Sequence, residues 1–242
     1  MKTLPLLYCV AVLMPVCARA GEMVDDVSRV WETYEPTPDA AWPSPNRNVL
    51  TDREKSEGFA LLFNGQDLAG WKAAENPDTF FVADGALVAK GKRAHLFYVG
   101  PVNGANFTNF HFKTQVLTKP GSNSGIYFHT ACQEHGWPRQ GYEAQVNNTH
   151  QDKRKTGSLY DVKDNHAAVA QDHAWFLYEI LVRDNTIEIK IDGKPVTTFT
   201  EPADHNVKGR PRPRLSSGTF AIQGHDPGSE VHYRAIRVKP LP

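Results

Sequence analysis

The chain has 242 residues, 40% of them hydrophobic and 22% charged, with 27 basic side chains against 27 acidic ones. So even a balance gives no electrostatic reason to expect a nucleic acid or an anionic membrane as partner. No apolar stretch reaches the ~20 residues that a membrane-spanning helix needs.

Residues 1–20 have the layout of a secretory signal peptide. Lys2 precedes an apolar run from Leu4 to Cys17, and Ala18-Arg19-Ala20 sets small residues before a cleavage point. Removal leaves 222 residues with 25 basic and 27 acidic side chains, enough for one sizeable core. Of the three cysteines, Cys9 and Cys17 fall in the signal, so Cys132 is left alone and no intrachain disulfide is expected. The expected address is the periplasm or the exterior of a bacterium.

Residues 21–57 read as a strap. Val24, Val27 and Trp31 have helical spacing, and then Pro36, Pro38, Pro43 and Pro45 enforce extended chain. Thr51-Asp-Arg-Glu54 has capping-box spacing and predicts a helical turn before Gly58. From Phe59 onward the pattern is short strands punctuated by turn residues. Strands are predicted at 60–63, 80–82, 86–89, 95–99, 110–117, 125–129, 142–147, 176–183, 186–190, 195–200, 219–223 and 231–238. Asp84-Gly85, Asp184-Asn185 and Asp192-Gly193 are hairpin turns, because these residues tolerate positive φ. The prolines of Lys208-Gly-Arg-Pro-Arg-Pro-Arg214 make that basic cluster a solvated loop. The expected fold class is all-β, a sandwich or jelly roll.

Strand alternation then sorts side chains by face. Glu143, Gln145 and Asn147 share one side of their strand. Asn123, Gly125, Tyr127 and His129 share a side of theirs, and Ala221, Gln223 and His225 do the same. These are either solvent faces of an antiparallel sheet or a site that directs hydrogen bonds without ion pairs, as a carbohydrate requires. Trp71, Trp137, Tyr142 and Tyr160 are candidates either for stacking on sugar rings or for the core. His129, Glu143 and His225 would suit a divalent cation if their strands are neighbours, and no organic cofactor is expected. His150, His166, His173 and His205 lie in predicted loops and read as surface histidines.

Phe63-Asn-Gly-Gln-Asp-Leu-Ala-Gly-Trp71, Asn123-Ser-Gly-Ile126, Gly141-Tyr-Glu-Ala-Gln-Val146, Thr156-Gly-Ser-Leu-Tyr160, Ile222-Gln-Gly-His225 and Tyr233-Arg-Ala-Ile-Arg-Val238 occur in one order. Together they resemble the 3-keto-disaccharide hydrolase domain family, once a domain of unknown function, over residues 58–242. The resemblance implies a concanavalin A-like jelly roll, related in fold to laminarinase-type glycosidases and laminin-G lectin modules. It implies secreted bacterial proteins acting on glycosides already oxidised to a ketone at C3. Glu143 and Gln145 match the family's G-Y-E-x-Q strand, His225 its Q-x-H segment, Asn123 its N-S-G, and Tyr160 its G-x-L-Y. The chain departs at His129, where many members have arginine, and at Ala235, where asparagine is common.

Laminarinase-type enzymes carry E-x-D-x-E on one strand; here the comparable strand reads E-x-Q-x-N, with Glu143 its one acid. Ordinary glycoside hydrolysis uses two carboxyl groups. A 3-ketone removes that need, since it acidifies the C2 hydrogen and lets one base start an elimination that water can complete. The expected catalytic residues are Glu143 and His225, either of them the base. His129, Gln145 or a bound cation would stabilise the enolate oxygen. Asn123, His129, Gln145, Tyr160, Gln223 and Trp137 are the expected substrate-binding set. The alternatives are a non-catalytic, lectin-like carbohydrate-binding module using the same face, and a structural or adhesion role for the proline strap.

Overall fold

The computed structural model describes residues 48–203 and 215–242. The signal peptide, the helix and prolines of the strap, and the Lys208–Arg214 loop lie outside the described residues. Besides two 3-10 turns, Pro77–Thr79 and Val102–Ala105, one α-helical turn and thirteen strands follow in chain order: α1 (Asp52–Ser56), β1 (Ala60–Leu61), β2 (Trp71–Ala74), β3 (Phe80–Ala83), β4 (Ala86–Lys90), β5 (Ala94–Tyr98), β6 (Asn109–Thr118), β7 (Ser124–Thr130), β8 (Tyr142–Val146), β9 (Phe176–Arg183), β10 (Thr186–Ile191), β11 (Lys194–Thr200), β12 (Thr219–Gly224) and β13 (Glu230–Leu241). The expectation of an all-β sandwich holds. None of the helices among these residues is long and apolar enough to cross a membrane.

The predicted capping box forms at α1. Thr51 Oγ1 accepts the Glu54 amide at 3.1 Å, and Glu54 Oε2 accepts the Thr51 amide at 3.0 Å. The remaining oxygen of Glu54 takes the buried Arg237 Nε, which ties this turn to β13. The three expected turns are two-residue hairpin loops joining β3 to β4, β9 to β10 and β10 to β11. Asp84, Asp184 and Asp192 all take positive φ there. Strand β2 was not foreseen, because Trp71-Lys-Ala-Ala is short and carries neither alternation nor β-branched residues.

All pairings are antiparallel. One sheet has the order β11-β10-β9-β6-β13-β4-β3, with β1 also on β13; the other has five strands in the order β2-β5-β12-β7-β8. Their inner faces meet in a core rich in aromatic rings. Phe220 of β12 has its ring centroid 4.8 Å from Phe107, 4.9 Å from Phe110 and 4.8 Å from Phe112. Trp71 and Tyr142 belong to this core, so neither is free to stack on a ligand. Trp71 Nε1 donates to the Leu62 carbonyl at 2.7 Å, and the Tyr142 hydroxyl donates to Glu201.

The pairing of β10 with β11 shifts register between Ile189 and Lys190, and bulges break two further strands. Between Arg234 and Arg237, β13 spends an extra residue against β6, and Ala235 takes φ +50°. The asparagine that the resemblance implies at this position would tolerate that backbone better than alanine does, so the departure concerns backbone conformation. The second bulge lies in β7. Three steps from Tyr127 to Thr130 face two steps from Ala221 to Thr219, and His129 takes φ +55°.

Since Phe220 is fully buried among three phenylalanines, Phe220→Ala should destabilise the domain by ~3–5 kcal/mol. Denaturant unfolding reads this as a lower midpoint at unchanged slope.

Candidate functional site

The site is built on the outer face of the five-stranded sheet. Alternation sends Ile126, Ala144 and Ile222 into the core and turns Gly125, Tyr127, Glu143, Gln145, Ala221 and Gln223 outward. Register sets Tyr127 opposite Glu143 and Gly125 opposite Gln145. Gly125 is required, because a Cβ there would lie 2.4 Å from Glu143 Oε1.

Two loops wall this face. The segment between β7 and β8 leaves from the end of the sheet opposite Glu75, Arg93 and His225, yet the Gly136 amide donates to Glu75 and Trp137 packs against His95 and His225. It therefore runs back over the sheet. The second wall follows β8. Tyr160 N donates to the Glu143 carbonyl at 2.9 Å and Gln145 N to the Ser158 carbonyl at 2.9 Å, which holds Tyr160 beside Glu143. The Arg154 guanidinium covers the Tyr160 ring at 4.5 Å and pairs with Asp161 and Asp164.

Between the walls lies a cleft of about 530 Å³, lined by Asn123, Tyr127, Trp137, Arg139, Glu143, Gln145, Tyr160, Gln223 and His225 among others. Seven of the eight expected site residues meet there: Glu143, His225, Asn123, Gln145, Tyr160, Gln223 and Trp137. His129 does not. The β7 bulge turns it off the face, its ring edge-on to Phe110 of the other sheet. There Nε2 donates to the Thr108 carbonyl at 2.7 Å and Nδ1 accepts the Ser216 amide at 3.2 Å. The ligand set His129, Glu143 and His225 is thus not formed.

The centre of the cleft is a carboxyl with two fixed donors. The Tyr127 hydroxyl donates to Glu143 Oε2 at 2.7 Å, and Gln223 Nε2 donates to Oε1 at 2.8 Å. Burial raises the Glu143 carboxyl to about 7 from its ordinary 4.5, against the lowering effect of those bonds. Gln145 Nε2 donates to Asn123 Oδ1 at 3.0 Å. The amide oxygens of Gln145 and Gln223 are buried with no protein partner.

Tyr127 was legible on the right strand face but not as a partner of Glu143. Behind Trp137 lies His95, fully buried, both ring nitrogens without a partner, and lowered to about 4 by burial. At the edge of the cleft, His225 Nδ1 is hydrogen-bonded to Asp226 Oδ2 at 2.6 Å, and the His150 ring centroid lies 5.6 Å from that of His225. His150, His225 and Asp226 offer three donor atoms within 4.8 Å of one another, so the described residues do contain a cluster able to hold a metal ion. Sequence reading placed His150 in a loop, correctly, and had no signal for its neighbour.

No curated protein matches the chain. A protein from Parabacteroides distasonis ATCC 8503, provisionally described as a glycosyl hydrolase, matches with TM-score 0.68 and 26% identity over 81% of this chain and 99% of its own. A second from the same organism, with the same provisional description, matches with TM-score 0.59 and 20% identity over 76% of this chain and 99% of its own. The exoplasmic/lumenal domain of VIP36, in a form bound to Ca2+ and Man3GlcNAc, shares the fold with TM-score 0.52 and 7% identity over 77% and 89% of the two chains. Residues 58–239 match the family described as the 3-keto-alpha-glucoside-1,2-lyase-like domain, and the chain belongs to that family.

Proposed function

We propose that this protein cleaves the glycosidic bond of 3-keto-glycosides, with Glu143 as the base that removes the C2 proton. Its family and its glycosyl hydrolase-like neighbours support a carbohydrate-active function. The observation that carries the finer reading is the single half-buried carboxyl at the cleft's centre, raised to about 7. A group near neutrality is suited to taking and returning a proton.

Glu143 fits the base better than His225 does. Its two oxygens are oriented by Tyr127 and Gln223, whereas His225 has Nδ1 committed to Asp226. As Glu143 takes the C2 proton, the C–H electron pair moves into the C3 ketone to give an enolate. The ketone re-forms as the C1–O bond breaks, leaving a C1=C2 double bond, and the departing oxygen takes up a proton. Water adding across C1=C2 completes a net hydrolysis. The unpartnered amide oxygens of Gln145 and Gln223 call for donors, and sugar hydroxyls supply them. Trp137, 44% exposed, offers a ring face to a sugar.

The enolate oxygen needs a donor or a positive charge. His129 stands outside the cleft, and Gln145 has its Nε2 bonded to Asn123 with its free oxygen an acceptor. Neither suits that task in this arrangement. A lectin-like binding module is the second reading, favoured by the exposed Trp137 beside paired amides. On the signal sequence, we place the mature protein outside the cytoplasm.

Two measurements test this reading. A chromogenic 3-keto-glucoside should be cleaved while the unoxidised glucoside is not, and Glu143→Gln should lower kcat by ~10²–10⁴. The wild-type rate should rise with pH through about 7, as Glu143 ionises. Unchanged activity in Glu143→Gln would remove the base assignment, and binding of unoxidised glycans without turnover would favour the lectin. The second measurement is stability. A raised folded-state pKa means that stability present below pH 4.5 is lost as pH rises through about 7. The stability of Glu143→Gln relative to wild type should therefore grow by ~1–3 kcal/mol between pH 4 and pH 8 in denaturant titrations.

A further inference from the structure

We infer that His150, His225 and Asp226 form a divalent-cation site at the edge of the cleft, taking a first-row transition metal such as Zn2+ or Mn2+. Its place in the chemistry rests on the function proposed above; its existence does not. His225 and Asp226 follow β12, and His150 sits on the loop after β8, so two separate segments converge to bring three donor atoms within 4.8 Å. Two imidazoles and one carboxylate suit a first-row transition metal, whereas Ca2+ prefers an all-oxygen shell. Three protein donors also leave coordination positions open to a substrate oxygen or water.

Asp226 and His150 are held by neighbours that do not themselves belong to the set, and His225 is held by Asp226. Ser229 Oγ donates to Asp226 Oδ2 at 2.9 Å and Gly228 N to Oδ1 at 2.8 Å, while Ser229 Oγ accepts the amide of Asn123, a cleft residue, at 2.9 Å. The backbone amide of His150 donates to Asn147 Oδ1 at 2.9 Å, and the Asp152 amide donates to its Nδ1 at 3.1 Å. Such supporting bonds orient ligands in metal sites. The 2.6 Å approach of His225 Nδ1 to Asp226 Oδ2 puts two donor atoms where one cation would take both. Binding there would exchange hydrogen bonds of these side chains for metal bonds.

The cluster also answers a need of the cleft. His225 is itself a lining residue, so positive charge held there lies beside the space in which an enolate would form. Of the cations around that space, Arg154 is engaged with Asp161 and Asp164, and Arg139 is solvent-exposed on the loop carrying Trp137.

The test uses the mature protein, stripped with chelator and dialysed against Zn2+, Mn2+ or Ca2+, with metal content measured by atomic emission and affinity by calorimetry. About one equivalent of Zn2+ or Mn2+ per chain is expected, retained in Glu143→Gln and reduced at least tenfold in affinity in His150→Ala and Asp226→Asn. Because those variants can lose their fold, the absorption bands of Co2+ bound to the unaltered protein give a second readout, expected to show nitrogen ligation. Absence of stoichiometric binding, or binding undiminished in folded His150→Ala and Asp226→Asn, overturns the site. Stoichiometric metal without cleavage of a 3-keto-glucoside would leave the site standing and remove the catalytic reading. Cleavage by protein that binds no metal would do the reverse.

Discussion

A carboxylate withdrawn from water is costly, and the geometry around Glu143 is organised by that cost. Its two oxygens are met by side chains from two other strands, Tyr127 of β7 and Gln223 of β12. Those contacts require β8, β7 and β12 to lie side by side in one register. That register is fixed from the opposite face, where Ile126, Ala144 and Ile222 pack into the aromatic core. A slip of one residue would bury the amides and expose the aliphatics. The apolar side of these strands therefore specifies the position of the polar side, and the two cannot vary independently.

That dependence explains what was legible in the sequence. Period-two alternation placed Glu143, Gln145, Tyr127 and Gln223 on common faces, and turn chemistry located the three hairpins whose aspartates take positive φ. His129 was misassigned because alternation presumes an unbroken ladder. The extra residue in β7 is settled by tertiary pairing with β12 and leaves no trace in local composition. Trp71 and Tyr142 resisted assignment for another reason: an aromatic residue in a strand suits a core and a sugar platform equally well. The resemblance supplied the fold and the register of motifs. It did not supply the meeting of His150 with Asp226, since loop trajectories depend on contacts distant in sequence.

The polar groups of the cleft constrain its chemistry more tightly than their number suggests. Among the described lining residues, Glu143 and Asp161 carry carboxyls, and Asp161 is paired with Arg154. One carboxyl near neutrality, without a second free acid, is poorly equipped for direct displacement at an unactivated acetal. It is well equipped for removing a proton that a neighbouring ketone has acidified. The donors on Glu143 act against its burial, holding the carboxyl at about 7 rather than higher. A stronger pair of donors would stabilise the carboxylate and weaken it as a base. Without them, burial would keep it protonated at neutral pH.

Sheet and loops divide the work accordingly. Tyr127 and Gln223 stand on strands paired on both sides, and Glu143 and Gln145 on β8, which pairs with β7 on one side and on the other bonds through its backbone to Gly157, Ser158 and Tyr160. Trp137, Tyr160 and His150 stand on loops held by a few identifiable bonds, such as Gly136 to Glu75 and Tyr160 to the Glu143 carbonyl. The proton-transfer role proposed for Glu143 tolerates little displacement, which suits a position on the sheet. The shape and identity of a sugar can be read from side chains that move together with a loop. Changes in the 131–141 segment would then alter which ligand fits while leaving Glu143 and its two donors where the register of β7, β8 and β12 sets them.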